Sequence, residues 1–224
     1  MIGSVVDTGI GCRIGNQMIN ILAYADDIVL ITPSWRAMQY LINTLNSSAI
    51  DINMTCNISK TVGMVFAPKE RRWSLRTAFP NFCLGNDVIN FVSQFKYLGH
   101  MLTNCASDDV DINREIRNIF GRTNILIRRF SNCSLDVKGI LFRTYCLCFY
   151  DIALWTYFKV CSLKKFRSCY NRCAKLFFGF KRQDSLTEML LLCRIPSFDT
   201  ILHNSKFVFQ KCLDNCANVL VKCF

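Results

Sequence analysis

Asp26 and Asp27 stand side by side within Ile21-Leu22-Ala23-Tyr24-Ala25-Asp26-Asp27-Ile28-Val29-Leu30-Ile31. The rest of that stretch is apolar or aromatic and reads as buried strand, where an unpaired charge is costly. Two adjacent carboxylates also repel each other unless a cation lies between them. The economical arrangement is a β-hairpin with Met18 to Ala23 as one strand, Ile28 to Thr32 as the other, and the acids at the tight turn. Asp is a good turn residue. Such a tip presents two hard oxygen donors to Mg²⁺. An Asp-Asp turn alone is ordinary. The preceding Tyr24, the small Ala25 and the apolar strands on both sides favour the metal-binding version.

Three later stretches carry basic side chains in defined local settings. Asn57-Ile58-Ser59-Lys60-Thr61-Val62-Gly63-Met64-Val65-Phe66 reads as a loop bearing Lys60, then a strand. Taken alone, Lys60 is a solvated charge. Phe95-Lys96-Tyr97-Leu98-Gly99-His100-Met101-Leu102 reads as a hairpin, anchored by aromatics and turned at Gly99. Asp108 to Phe130 reads as a helix capped by Ser107, with Asp108, Asp109 and Asp111 suited to its N-terminal dipole. Ile112, Ile116, Ile119, Phe120, Leu126, Ile127 and Phe130 share one face. Arg114, Arg117, Arg122, Arg128 and Arg129 fall opposite, with Glu115 at the margin. Arg suits bidentate phosphate contacts, although most such faces are simply solvated.

In this order the stretches resemble the reverse transcriptases of non-LTR (LINE-type) retrotransposons. Tyr24-Ala25-Asp26-Asp27 with Ile28-Val29-Leu30-Ile31 resembles their active-site hairpin. Asn57, Lys60 and Thr61 match the Asn-x-x-Lys-Thr that follows it, and Phe95 to Leu102 resembles the primer-grip hairpin. The resemblance runs from about Gly9 to Phe130. It is looser beyond, at Tyr170-Asn171-x-Cys173-x-Lys175-x-Phe177-Phe178-Gly179. It implies an RNA-directed DNA polymerase: a primer 3′-hydroxyl attacks the α-phosphate of a dNTP between two Mg²⁺ (or Mn²⁺) ions. Asp26 and Asp27 would be catalytic metal ligands, and Lys60 would lie near the triphosphate and assist pyrophosphate departure. Tyr24, Ala25, Lys96, Tyr97, Leu98 and Gly99 would contact the primer. The arginines would track the duplex backbone. The implied partners are an RNA template, a DNA primer or RNA–DNA duplex, and dNTP.

The family's mechanism also needs an Asp on an earlier palm strand. The 23 residues before Tyr24 contain one acid, Asp7, and nothing resembling that strand or the fingers. The expectation is a C-terminal fragment, inactive alone, with the missing N-terminal polymerase half as a further partner. The alternative is a non-catalytic nucleic-acid-binding remnant or an assembly fragment.

These residues need an α+β framework. The expected domains are a partial palm over 1–104, a small antiparallel sheet with a helix, then a helical thumb over 105–160 and a helical region over 161–224. Gly3, Gly9, Gly11 and Gly15 mark a loop or short-strand region before the hairpin. Ser34 caps a helix that begins after it, lies on the palm sheet and runs to about Asn46 or a few residues beyond. Pro68 to Arg76 is a basic loop. Val88 to Phe91 is a strand after the turn Gly85-Asn86-Asp87. Further helices are expected over Val137–Lys159 (one or two), Leu163–Phe180, from Ser185 to before Pro196, and Asp199–Val221. Tyr170, Phe177, Phe178 and Phe180 are expected in the core, with base stacking as the alternative.

The charge is uneven. The first 110 residues carry eight basic and eight acidic side chains, and the other 114 carry 19 and eight, so the whole excess of +11 is in the second half. That asymmetry points to a polyanion, nucleic acid first. No signal peptide or spanning segment is expected. The apolar Leu141 to Leu163 run contains Arg143, Asp151 and Lys159, so no membrane partner is foreseen. The 14 Cys are expected as reduced thiols in an intracellular, cytoplasmic or nuclear setting. Cys169/Cys173 and Cys212/Cys216 each share a helix face but lack zinc-ribbon spacing.

Overall fold

The computed structural model describes residues 1–66 and 80–223. The expected basic loop from Pro68 to Arg76 lies outside the described residues. The fold is α+β, with seven α-helices and small sheets of two or three strands among the described residues. The chain divides into two compact units, residues 1–93 with 216–224, and residues 94–215. A boundary after residue 104 would cut the Phe95 hairpin from its helices, whereas contacts group them. Likewise 105–160 and 161–215 share one core.

The first unit opens with helix α1 (Ile2–Val6), where a loop or short strand was expected. Buried Asn20 holds it, donating from Nδ2 to the Val5 carbonyl at 2.7 Å. Strands β1 (Cys12–Ile14) and β2 (Gln17–Ile19) form a hairpin turned at Gly15, whose φ is +56°. Gly11 is required before β1, because a Cβ there would collide with the Ile19 carbonyl oxygen. β3 (Ile21–Tyr24) and β4 (Asp27–Leu30) form a separate two-stranded sheet. Met18 therefore belongs to β2, and the carboxylate hairpin is shorter than expected. Asn20 separates the two strands, its carbonyl accepting from Ile31 N at 2.9 Å.

Helix α2 (Trp35–Ile50) starts as expected, with Ser34 Oγ accepting from Ala37 N at 3.4 Å. It buries Leu41, Ile42, Leu45 and Ala49. β5 (Val62–Gly63), β6 (Phe82–Leu84) and β7 (Asp87–Phe91) form a sheet ordered β5-β7-β6. α2 packs on β4 and on β6, so it joins two sheets where one palm sheet was expected. Gln39 guards the edge strand β6. Its Nε2 donates to the Cys83 carbonyl at 2.8 Å and its Oε1 accepts from Cys83 N at 2.9 Å. Leu30 touches both small cores, one around Ile42, Phe82, Leu84 and Ile89, the other around Val5, Leu41 and Leu45.

The second unit holds β8 (Gln94–Tyr97), β9 (His100–Thr103), α3 (Asp109–Phe130), α4 (Leu135–Cys146), α5 (Val160–Phe178), α6 (Leu186–Leu192) and α7 (Phe198–Asp214). Of the one or two helices expected over Val137–Lys159 there is one, and it stops at Cys146. Residues 147–159 instead form turns that carry Phe149, Ile152 and Trp155 into the core. Tertiary hydrogen bonds replace helical ones there: Asp108 Oδ2 accepts from Thr156 N and Tyr157 N, each at 2.7 Å. Asp108, not Ser107, stands at the N-cap position of α3, but its side chain is spent on that tertiary turn and caps no helical N–H, while Ser107 Oγ accepts from Asp109 N at 3.3 Å. Gly179 ends α5 in the left-handed region, φ +82°, as its position implied. α6 stops before Pro196, with Arg194 at φ +51°. α7 ends seven residues before Val221. The core is aromatic, with Phe142, Trp155, Phe166, Tyr170 and Phe177 almost wholly buried. Tyr170 Oη donates to the Pro196 carbonyl at 2.5 Å, and burial pushes its pKa up. All 14 thiols are free. No helix among the described residues is long and apolar enough to cross a membrane.

Candidate functional site

Tyr24 pairs with Asp27, so Ala25 and Asp26 alone form the turn. Asp27 is the first residue of β4 rather than a turn residue. Side chains alternate faces along a strand. Ile21, Ile28 and Leu30 face the core, which places Leu22, Tyr24, Asp27 and Val29 on the other face. No residue from 21 to 30 is buried, and Tyr24 is 64% exposed. The expected buried strand is therefore a two-stranded arm with a solvent-facing tip. Exposed, both carboxylates avoid the desolvation cost that a buried site would impose. Among the described residues no hydrogen bond or ion pair engages either one. The turn needs Ala25 at φ +52°, an unfavourable region for a side chain with a Cβ.

Lys60 is exposed and closes the turn that leads into β5. Asn57 organises that turn: its Oδ1 accepts from Ser59 Oγ at 2.7 Å and Lys60 N at 3.3 Å. Thr61 Oγ1 donates back to the Asn57 carbonyl at 2.8 Å. The Asn, Lys and Thr of the motif thus form one local turn that presents the Lys60 amine to solvent.

In the second unit Leu98 and Gly99 turn the β8–β9 hairpin, at φ +46° and +94°. Lys96 and Leu98 are exposed, whereas Tyr97 is half-buried. On α3, Arg117, Arg128 and Arg129 are exposed and lack ion pairs among the described residues. Arg122 is half-buried and donates to the Cys148 carbonyl at 3.3 Å.

Arg114 departs from the expected outward face. Its Nε donates to Asp111 Oδ1 at 2.7 Å, its Nη2 to Asp151 Oδ2 at 2.6 Å, and its Nη1 lies 3.2 Å from Glu115 Oε1. Asp111 is fully buried, and Glu115 is buried rather than marginal. Trp155 Nε1 donates to Asp111 Oδ2 at 2.8 Å, and Met101 N donates to Oδ1 at 3.1 Å. Burial opposes ionisation of Asp111, but Arg114, Trp155 and Met101 outweigh it and hold its pKa below the usual carboxylate range. His100 Nδ1 lies 3.3 Å from Asp111 Oδ2. This network pins β9 to α3.

Sequence reasoning missed the network, assigning Asp111 to the helix dipole and Asp151 only to the charges that exclude a span. The signal was there: Asp151 lies among Phe149, Ile152 and Trp155, and a charge among core residues demands a partner. Among the described residues, His100, Asp111 and Asp151 offer three ligand atoms within 4.8 Å of one another. Arg114 already supplies the cation there and occupies oxygens of both carboxylates. Asp26 and Asp27 gain no third donor of this kind among the described residues.

Neither a protein-family model nor a curated protein matches the chain.

Proposed function

We propose that the chain is part of a reverse transcriptase of the LINE type, and that Asp26 and Asp27 bind Mg²⁺ or Mn²⁺ at the site of dNTP addition. The observation that carries this reading is the pair of exposed carboxylates, Asp26 in the two-residue turn and Asp27 at the start of β4 opposite Tyr24, with no partner among the described residues. Lys60 on its Asn57-built turn and the Leu98-Gly99 hairpin follow in the family's order. When bound, the metals would lower the charge at the transferring phosphate and hold the attacking and leaving oxygens. The chain's own part is to present two carboxylates, a primary amine at Lys60, and arginines 117, 128 and 129 for a duplex backbone. Two carboxylates are half of a two-metal site, and on this reading the further acid is supplied by a partner, an N-terminal polymerase half. Free thiols fit a reducing compartment, cytoplasmic or nuclear.

The test is primer extension on an RNA template with Mg²⁺ and dNTPs. The chain alone is expected to be inactive. Adding the fingers and first palm strand of a LINE-type polymerase in trans should give extension, and Asp26→Asn or Asp27→Asn should abolish it. Extension that survives both substitutions would refute the carboxylate assignment, and a soluble 1:1 complex without extension would refute the polymerase reading. The charge asymmetry favours a second reading, a nucleic-acid-binding remnant. In that case salt-dependent duplex binding would persist with Asp26→Asn and no complementation would occur.

A further inference from the structure

A groove of about 680 Å³ runs along α5 in the second unit. Ser168, Asn171, Arg172 and Leu176 form one wall; Phe180, Arg182 and Leu186 form the other. From Ser168 to Leu176 it follows two helical turns, about 12 Å. No acidic residue lines it. Of the two carboxylates nearest in sequence, Asp184 is turned to backbone, accepting from Lys181 N at 2.6 Å, and Glu188 is exposed on α6 outside the lining. Lys175 also faces the groove, but Nζ donates to the Arg182 and Asp184 carbonyls at 2.9 and 2.6 Å. It therefore fixes the 182–184 wall. Arg172 and Arg182 are exposed and are the cations available to a ligand. Arg172 lies over the Phe120 ring of α3, Cζ 5.9 Å from its centroid. This continues the positive surface toward exposed Arg117, three residues before Phe120.

From this geometry we infer that the groove binds a single-stranded nucleic-acid segment, with phosphates on Arg172 and Arg182 and an unstacked base against Phe180 and Leu176. Leu176, Phe180 and Leu186 make part of the lining apolar, which favours a strand carrying unstacked bases over an acidic peptide without apolar side chains. It also disfavours a duplex, whose bases are stacked away from the protein surface. Half-exposed Leu176, 51% accessible, is apolar surface that a base would cover. Asn171 supplies an amide for a base edge. The proposal is independent of polymerase chemistry and does not involve the carboxylate hairpin.

Fluorescence anisotropy of the full chain with labelled 12-nucleotide DNA and RNA strands tests it. Arg172→Gln/Arg182→Gln should weaken binding about tenfold at low salt and reduce the salt slope by about 1.4, as two lost phosphate contacts require. Lys206→Gln/Lys211→Gln on α7 removes the same charge and should change affinity less than about twofold. Equal losses in both pairs would mean diffuse attraction and overturn the proposal. Phe180→Leu, checked for folding by near-UV circular dichroism, should cost about fivefold or more without altering the salt slope. An unchanged affinity there would remove the base contact. A polyglutamate peptide competing as well as an unlabelled strand would overturn the assignment of the ligand. Arg36→Gln, an exposed cation on α2 with no part in either proposed site, should leave every value unchanged; an equal loss there would mean diffuse attraction and overturn the proposal.

Discussion

Arg114 and Arg128 lie on the same helix and carry the same charge, but their surroundings differ. Arg114 is enclosed by Asp111, Glu115 and Asp151, whereas Arg128 is exposed. Removing one partner of a buried ion cluster leaves the others uncompensated, at about 3–5 kcal/mol. Exposed charges contribute about 0–1 kcal/mol. Arg114→Leu should therefore lower the urea midpoint of the second unit sharply, while Arg128→Gln leaves it nearly unchanged. In a duplex-binding assay the order reverses for folded protein, with Arg128→Gln reducing the salt slope. Equal stability losses would contradict the burial of the cluster. Such an inward arginine was invisible to helical periodicity, because a helical wheel gives an angle and not what stands opposite it.

At the scale of elements, the β3–β4 and β8–β9 hairpins are turned by residues at positive φ. Ala25 pays for its geometry at about 1–2 kcal/mol, and a β-branched side chain there is worse. Ala25→Val should accelerate amide exchange across the Leu22–Val29 and Tyr24–Asp27 pairs, while α3 is unaffected. Ala25→Gly should protect the same amides at least as well as the natural residue. The edge of β6 depends likewise on one side chain. Gln39→Ala strips a donor and an acceptor from the Cys83 backbone, and should cost about 1–3 kcal/mol for unsatisfied groups. Faster exchange at Cys83 N is the readout. The β3–β4 hairpin and the caps at Ser34 and Ser185 were legible from residue types, whereas the cap at Ser197 was not read. The interruption of the helix after Cys146 was not, because Asp108 holds that turn from about fifty residues away.

For the whole molecule, the uneven charge and the uneven core go together. The helical unit has one large aromatic core, whereas the first unit has two small ones. Acid should act on the helical unit through Asp111 and Asp109. Burial raises both, and hydrogen bonds more than offset it, so both carboxyls are held low. A lowered folded pKa gives stability that is present above the unfolded value, about 3.9. That stability is lost as pH falls through the folded value. Urea midpoints by near-UV circular dichroism should be flat from pH 7 to about 5 and fall below about pH 4. Asp111→Asn should start lower and fall less. A parallel decline in both would show that other carboxylates carry the acid sensitivity.

The sequence by itself determined the hairpins, the capped helices, the apolar stripe of α3 and the gathering of basic residues in the second half. Those features depend on neighbours within a few residues, where turn chemistry and side-chain period decide. Tertiary structure alone decided that Asp26 and Asp27 are solvent-facing on a short arm and that Arg114 is the half-buried counter-ion of a buried Asp111. It also decided that the Phe95 hairpin belongs with the helices. Each of these turns on long-range desolvation and pairing, as Asp111 shows: one carboxylate bonded to Met101, Arg114 and Trp155, residues that lie close in sequence only in part. A carboxylate's value is set by what excludes water from it, and that is fixed only when the chain has folded.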